Sequence, residues 1–174
     1  MKNYIALLGI GLAVCLSARA AETSAKISGV HLCCKGCVSG VEKAVSSVPD
    51  AKAETDADAG TVTITGPDVT TVKKAAAALT KAGYYGKSSN PMVTMDSHTG
   101  AKNAKVQSLK IEGVHLCCAK CVKAVDKAVK SVDGAKEQTA TKGAKSFEVT
   151  GDFNDKEVFD ALQKEGLTGK VAKE

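Results

Sequence analysis

The chain has 174 residues, with 24 Lys and Arg against 19 Asp and Glu and a formal net charge of +5. That length holds one or two small domains. Arg19 is the only arginine, there is no Trp, and three Phe and three Tyr are spread thinly. Neither guanidinium forks nor stacking platforms are therefore available, which excludes a dedicated nucleic-acid surface.

The N-terminus has the three parts of a secretory signal. Lys2 supplies a positive charge, Tyr4 to Leu16 is an apolar run, and Ser17-Ala18-Arg19-Ala20 gives small residues at A-x-A spacing. This predicts a signal peptide over residues 1–20, cleaved after Ala20, and a periplasmic or secreted mature protein without stable membrane insertion. The apolar run is too short to span a bilayer comfortably. Val14, before Cys15, is not the small residue that a lipidation signal usually places there. Cleavage removes Lys2 and Arg19 and lowers the formal charge to +3.

Beyond the signal the chain repeats itself. Lys26–Leu32 reads as a strand with Ile27 and Val30 inward, and in the second copy Leu109 and Ile111 alternate with Lys110 and Glu112. Gly29 and Gly113 break the alternation and mark a bulge or a loop start. Val38, Val41, Val45 and Val48, and likewise Val122, Val125, Val129 and Val132, fall at helical spacing. A hairpin follows, turning at Ala59-Gly60 in the first copy and at Lys142-Gly143 in the second. A second helix then runs from Asp68 to Ala82, ending at Gly83, or from Asp155 to Glu165, ending at Gly166, and a short edge strand closes each unit at Tyr84–Lys87 or Leu167–Val171. The order βαββαβ, twice, predicts an α+β chain of two tandem ferredoxin-like domains. Each is a four-stranded antiparallel sheet with two helices on one face. The predicted domains are 25–89 and 105–172. The small polar stretch 90–104 between them reads as a flexible linker, and its Met92, Met95 and His98 read as incidental.

The chemistry is concentrated in two short stretches. Val30-His31-Leu32-Cys33-Cys34-Lys35-Gly36-Cys37-Val38 returns as Val114-His115-Leu116-Cys117-Cys118-Ala119-Lys120-Cys121-Val122. A fold does not need thiols at this density, whereas soft-metal or thiol chemistry does. Two thiolates suffice for a linear Cu(I) or Hg(II) site and three allow a trigonal one. Three with a histidine complete a tetrahedral zinc site. Cys37 and Cys121 are expected to open their helices, where the positive dipole end lowers a thiol pKa, with Lys35 and Lys120 adding positive charge nearby. His31 and His115 are candidate ligands or solvent-facing strand ends with equal weight. Tyr84 and Tyr85 are expected to pack against the loop. An odd thiol in each loop argues against a simple disulfide staple. A thioredoxin-like arrangement lacks its proline, because Pro49, Pro67 and Pro91 are the only prolines.

A strand ending near glycine, a Cys-x-x-Cys loop, then helix, hairpin, helix and a closing Gly-Tyr resembles the heavy-metal-associated domain. That domain occurs in copper chaperones, metal-transporting P-type ATPase N-termini and periplasmic mercury-binding proteins. The resemblance covers about 25–88 and 107–172 and places a soft metal ion on Cys34 and Cys37 and on Cys118 and Cys121. The family's loop has glycine three residues before its first cysteine and a methionine between them. Here Gly29 lies four before Cys33 and five before Cys34, and Val30 and Val114 stand for the methionine. Either Cys33 or Cys34 takes the first position.

The expectation is an exported, non-enzymatic soft-metal binding protein with Cu(I) as first choice and Zn(II) or Hg(II) as alternatives. It would buffer metal or pass it to a metal-transporting membrane protein or another metallochaperone. Each domain would carry one site built from its own three cysteines, with His31 or His115 as an optional ligand. The rival readings are a thiol-disulfide oxidoreductase and a zinc- or disulfide-stapled interaction module.

Overall fold

The computed structural model describes residues 22–96 and 98–173, and the expected signal segment with Cys15 lies outside the described residues. Two units follow one another with the same plan. In the first, β1 (Thr23–Ser28), α1 (Lys35–Ser46), β2 (Lys52–Asp56), β3 (Thr61–Gly66), α2 (Val69–Lys81) and β4 (Lys87–Ser88) build a sheet of order β2-β3-β1-β4. In the second, β5 (Lys105–Glu112), α3 (Ala119–Lys130), β6 (Ala135–Gln138), β7 (Ser146–Asn154), α4 (Asp155–Lys164) and β8 (Lys170–Val171) give β6-β7-β5-β8. All strand pairs are antiparallel. The predicted tandem α+β architecture is the observed one. Among the described residues no helix is long and apolar enough to cross a membrane.

The sequence periods explain the elements. Ala25 and Ile27 of β1 and Val62 and Ile64 of β3 point into the core, with Ala25 opposite Ile64 and Ile27 opposite Val62. Cys37, Val41 and Val45 form the buried stripe of α1, and Cys121, Val125 and Val129 that of α3. The Asp68 side chain caps α2 by accepting from the Thr71 backbone N–H at 2.8 Å, replacing one donor that a helix start leaves unpaired. Gly83, at φ +90, ends the same helix.

Three expectations need correction. The first strand begins and ends earlier than predicted, because Gly29 at φ +80 turns the chain before Val30 can pair in the sheet. The closing strands are two residues each, β4 and β8, and they do not begin at Tyr84 or Leu167. Those two residues instead pair with each other across the units, as an antiparallel bridge. Around them Thr168 N–H donates to the Gly83 carbonyl at 3.0 Å, and His31 and Tyr85 N–H both donate to the Gly166 carbonyl. The units are thus joined by backbone hydrogen bonds and a shared apolar core.

The linker is also not a loose tether. Val93 and Met95 are buried, and Val171 N–H donates to the Thr99 carbonyl at 2.7 Å. The buried Asp155 carboxylate accepts from Lys102 N–H and Ala104 N–H at 2.8 and 2.9 Å. Charged acceptors make the stronger hydrogen bonds, so Asp155→Ala is expected to cost about 2 kcal/mol. A urea melt should show a lower midpoint with little change in slope; an unmoved midpoint would mean that the carboxylate does not hold the linker.

Candidate metal centre

Each cysteine loop is pinned by its own apolar residues. Val30 and Leu32 are buried, as are Val114 and Leu116, and Val30 N–H donates to the Gly60 carbonyl at 2.9 Å. Alternation along the extended loop then sends His31 and Cys33 to the other side, as it does His115 and Cys117. The Cys34 carbonyl accepts from Cys37 N–H at 2.9 Å and from Val38 N–H at 3.3 Å, which starts α1; Cys118 does the same for Cys121 and Val122. Cys34 and Cys118 are therefore the N-caps, with no side-chain cap hydrogen bond. The expectation that Cys37 and Cys121 open the helices is corrected by two residues. They are the third residues, on the stripe that faces the core, and both are fully buried.

The largest difference from expectation is where the two loops lie relative to each other. They meet face to face. Cys33 Sγ is 3.5 Å from Cys118 Sγ, and Cys34 Sγ is 3.5 Å from Cys117 Sγ, an exchange that relates the repeats by an approximate two-fold axis. Cys37 and Cys121 sit together at the centre, 3.9 Å apart. All six thiols are free. The six thiols lie in a single group to which both domains contribute, and the donor trios within it include Cys117, Cys118 and Cys121 of one repeat as well as mixed ones.

The histidines are not equivalent. Both have a buried Nε2 with no hydrogen-bond partner, the signature of a nitrogen that lacks its acceptor or its metal. His31 forms a donor group with Cys33 of its own loop and Cys121 of the other, all within 4.8 Å. His115 instead stacks on Tyr84, ring centroids 4.5 Å apart and planes 29° apart. The Tyr84 hydroxyl donates to the Cys37 carbonyl at 2.9 Å, and Gly40 leaves the room, since a Cβ there would run into that hydroxyl. In the second repeat the corresponding positions are Ala124 and Leu167, which carry no hydroxyl. Tyr84 thus packs on the loop, as expected of it. His98 lies beside Asp96 at 3.4 Å, highly exposed, and joins no donor group among the described residues.

Electrostatics divide the thiols. The Cys37 backbone N–H, aided by neighbouring thiols, lowers Cys34 to about 7. Burial pushes Cys33 up to about 12 and raises Cys117 as well. Within the central pair the hydrogen bond between the two thiols holds Cys121 low and Cys37 high. Burial lowers His115 and keeps its imidazole neutral. Neither α1 nor α3 has an acid in its first turn, so the positive helix ends meet the thiolates undiluted.

Cys34 is then the thiol that is both partly exposed and ionised near neutrality. In the reduced, metal-free protein it is expected to react first with iodoacetamide. Its rate should climb about tenfold per pH unit below pH 7 and level off above it, as the thiolate fraction saturates. Mass mapping of the labelled peptides checks this, and uniform labelling of Cys33, Cys34, Cys117 and Cys118 would contradict it.

The model of the heavy-metal-associated domain matches residues 26–85. Residues 105–171 repeat its element order, its sheet order and its cysteine loop, so the chain carries the domain plan twice. Among solved structures the chain is similar to the N-terminal soluble domains of Bacillus subtilis CopA, at 16% identity and a TM-score of 0.33, over 88% of this chain and 95% of that one. No curated protein matches the chain. The Cys34–Cys37 and Cys118–Cys121 pairs hold the helix starts, and Cys33 and Cys117 reach across to the other repeat.

Proposed function

We propose that the protein binds a soft metal ion, Cu(I) first, and buffers it or passes it to a metal-transporting membrane protein or another metallochaperone outside the cytoplasm. The protein acts as a binding module and not as an enzyme. One observation carries this reading: six free thiols converge within a few ångströms, with an unpartnered imidazole nitrogen beside them. Thiolates select Cu(I), Zn(II) and heavier soft ions and disfavour Mg and Ca, which require oxygen. The heavy-metal-associated domain over residues 26–85 supports the same class of cargo.

The residues divide the work. Cys37 and Cys121, buried at the centre, hold metal away from water. Cys33, Cys34, Cys117 and Cys118 are half-buried, so an incoming thiolate of a partner has access to the edge of the site and can displace them one at a time. His31 adds a nitrogen donor to the Cys33 and Cys121 corner, while Tyr84 keeps His115 in a packing role.

An anaerobic titration of the reduced protein with Cu(I), and separately with Zn(II), each against a competing chelator, tests the reading. Cu(I) is expected to bind far tighter than micromolar, beyond about −8 kcal/mol, and to lose that affinity when all six loop cysteines become serine. His31→Ala should weaken binding roughly tenfold while His115→Ala leaves it unchanged. Affinity for Cu(I) no better than micromolar would sink the proposal, and a clear preference for Zn(II) would overturn the choice of copper.

A further inference from the structure

Six clustered sulfurs exceed the four donors that one tetrahedral ion takes, and their arrangement indicates how many ions they suit. Nine sulfur pairs lie 3.5–3.9 Å apart. Three more, Cys33–Cys34, Cys34–Cys118 and Cys117–Cys118, fall within 4.8 Å. These twelve pairs are the edges of an octahedron, which leaves Cys33 and Cys117, Cys34 and Cys121, and Cys37 and Cys118 as opposite corners. Its alternate faces are Cys33–Cys34–Cys118, Cys34–Cys37–Cys117 and Cys117–Cys118–Cys121, with Cys33–Cys37–Cys121 as the fourth. Every sulfur belongs to two of these four faces.

Resting on the soft-metal reading above, we propose that the two loops together hold four Cu(I) ions in one thiolate-bridged cluster, one ion on each alternate face. Donor arithmetic favours this. Four three-coordinate ions need twelve sulfur bonds, which six sulfurs supply when each bridges two ions. A metal–sulfur bond of about 2.3 Å sets sulfurs around a trigonal ion about 4.0 Å apart, close to the spacing present. Four tetrahedral Zn(II) ions would each lack one donor, and His31, on the Cys33–Cys37–Cys121 face, is the one nitrogen in these donor groups among the described residues.

The charge also balances. Four Cu(I) ions bind six thiolates, the protons that remain on the thiols leave to solvent, and the cluster retains a charge of −2. It is held between the N-termini of α1 and α3, whose dipoles favour an anion. Three of the four faces mix cysteines of both repeats, so neither domain completes the cluster alone. Loading should be cooperative and should clamp the domains together.

Native mass spectrometry of the reduced protein under anaerobic Cu(I) titration is expected to pass from metal-free to four-copper chains, with one- and two-copper species sparse and one chain per particle. Copper-edge absorption should show three sulfur neighbours and a copper–copper vector. Saturation at two ions without that vector would overturn the shared cluster while leaving metal binding intact, and so would four ions found only in a two-chain particle. Failure to bind copper at all would instead take down the reading beneath it. The Cys117→Ser, Cys118→Ser double variant gives a second test, with far-UV dichroism confirming its fold. A shared cluster predicts loss of the vector and at least ~10-fold weaker binding of the remaining ions. Independent sites predict one ion retained in the first loop at unchanged affinity.

Discussion

Cys37→Ser combined with Cys121→Ser is expected to lower Cu(I) affinity by at least ~100-fold, more than any second-sphere change. These two thiols are the ones fully removed from water, and each touches both loops: Cys37 is 3.6 Å from Cys117, and Cys121 is 3.7 Å from Cys33. Serine preserves shape but offers a hard, poorly ionised oxygen, which soft metal ions do not take in exchange for thiolate. The buried hydroxyls also cost about 1–3 kcal/mol each unless they find partners, so circular dichroism must accompany the chelator competition. Unchanged affinity in a folded double variant would mean that the four outer thiols suffice, and the central pair would lose its assigned role.

Gly83→Ala should be strongly destabilising although it touches no thiol. Gly83 sits at φ +90, and a Cβ there would run into the His115 backbone N and the Gly113 carbonyl of the other domain. Left-handed strain of roughly 1–2 kcal/mol adds to overpacking of roughly 1–3 kcal/mol. The expected loss is therefore about 3 kcal/mol in a urea melt. Gly143→Ala is the matched control, since its φ is +79 but nothing lies within 4 Å of its added Cβ, and it should lose only the strain. Because Gly83 hydrogen-bonds Thr168 beside the Tyr84–Leu167 bridge, the same variant should separate the loops and weaken copper binding without touching a ligand. Equal losses for the two variants would show that the domain contact contributes little.

Much of this fold was legible in the sequence because its signals are local. The valine spacing of α1 and α3, the Ala59-Gly60 turn and the helix-ending Gly83 and Gly166 each report on their own neighbourhood. The fold follows from their order. The six metal candidates were legible too, because cysteine density needs no tertiary knowledge to stand out. What stayed hidden depends on which unit a buried residue faces. Tyr84 and Leu167 read as the start of edge strands, since apolar alternation records burial but not the partner, and here the partner is the other repeat. Val93 and Met95 lie in a polar stretch without a period, so their burial had no pattern to announce it. The break in symmetry between His31 and His115 rests on Tyr84 fitting over Gly40, where the second repeat has Leu167 and Ala124. Those two differences are visible in the sequence but mean nothing until the loops are seen to face each other.

The most direct test of a thiol site shared by both repeats is to count protected cysteines. The reduced protein, with and without anaerobic Cu(I) loading, would be pulsed with iodoacetamide under denaturant-free conditions and mapped by mass. The account predicts that loading protects Cys33, Cys34, Cys117 and Cys118 together, at the same copper ratio, while the buried Cys37 and Cys121 stay closed in both forms. Protection confined to one repeat, or Cys33 and Cys117 left open while the Cys-x-x-Cys pairs close, would contradict it.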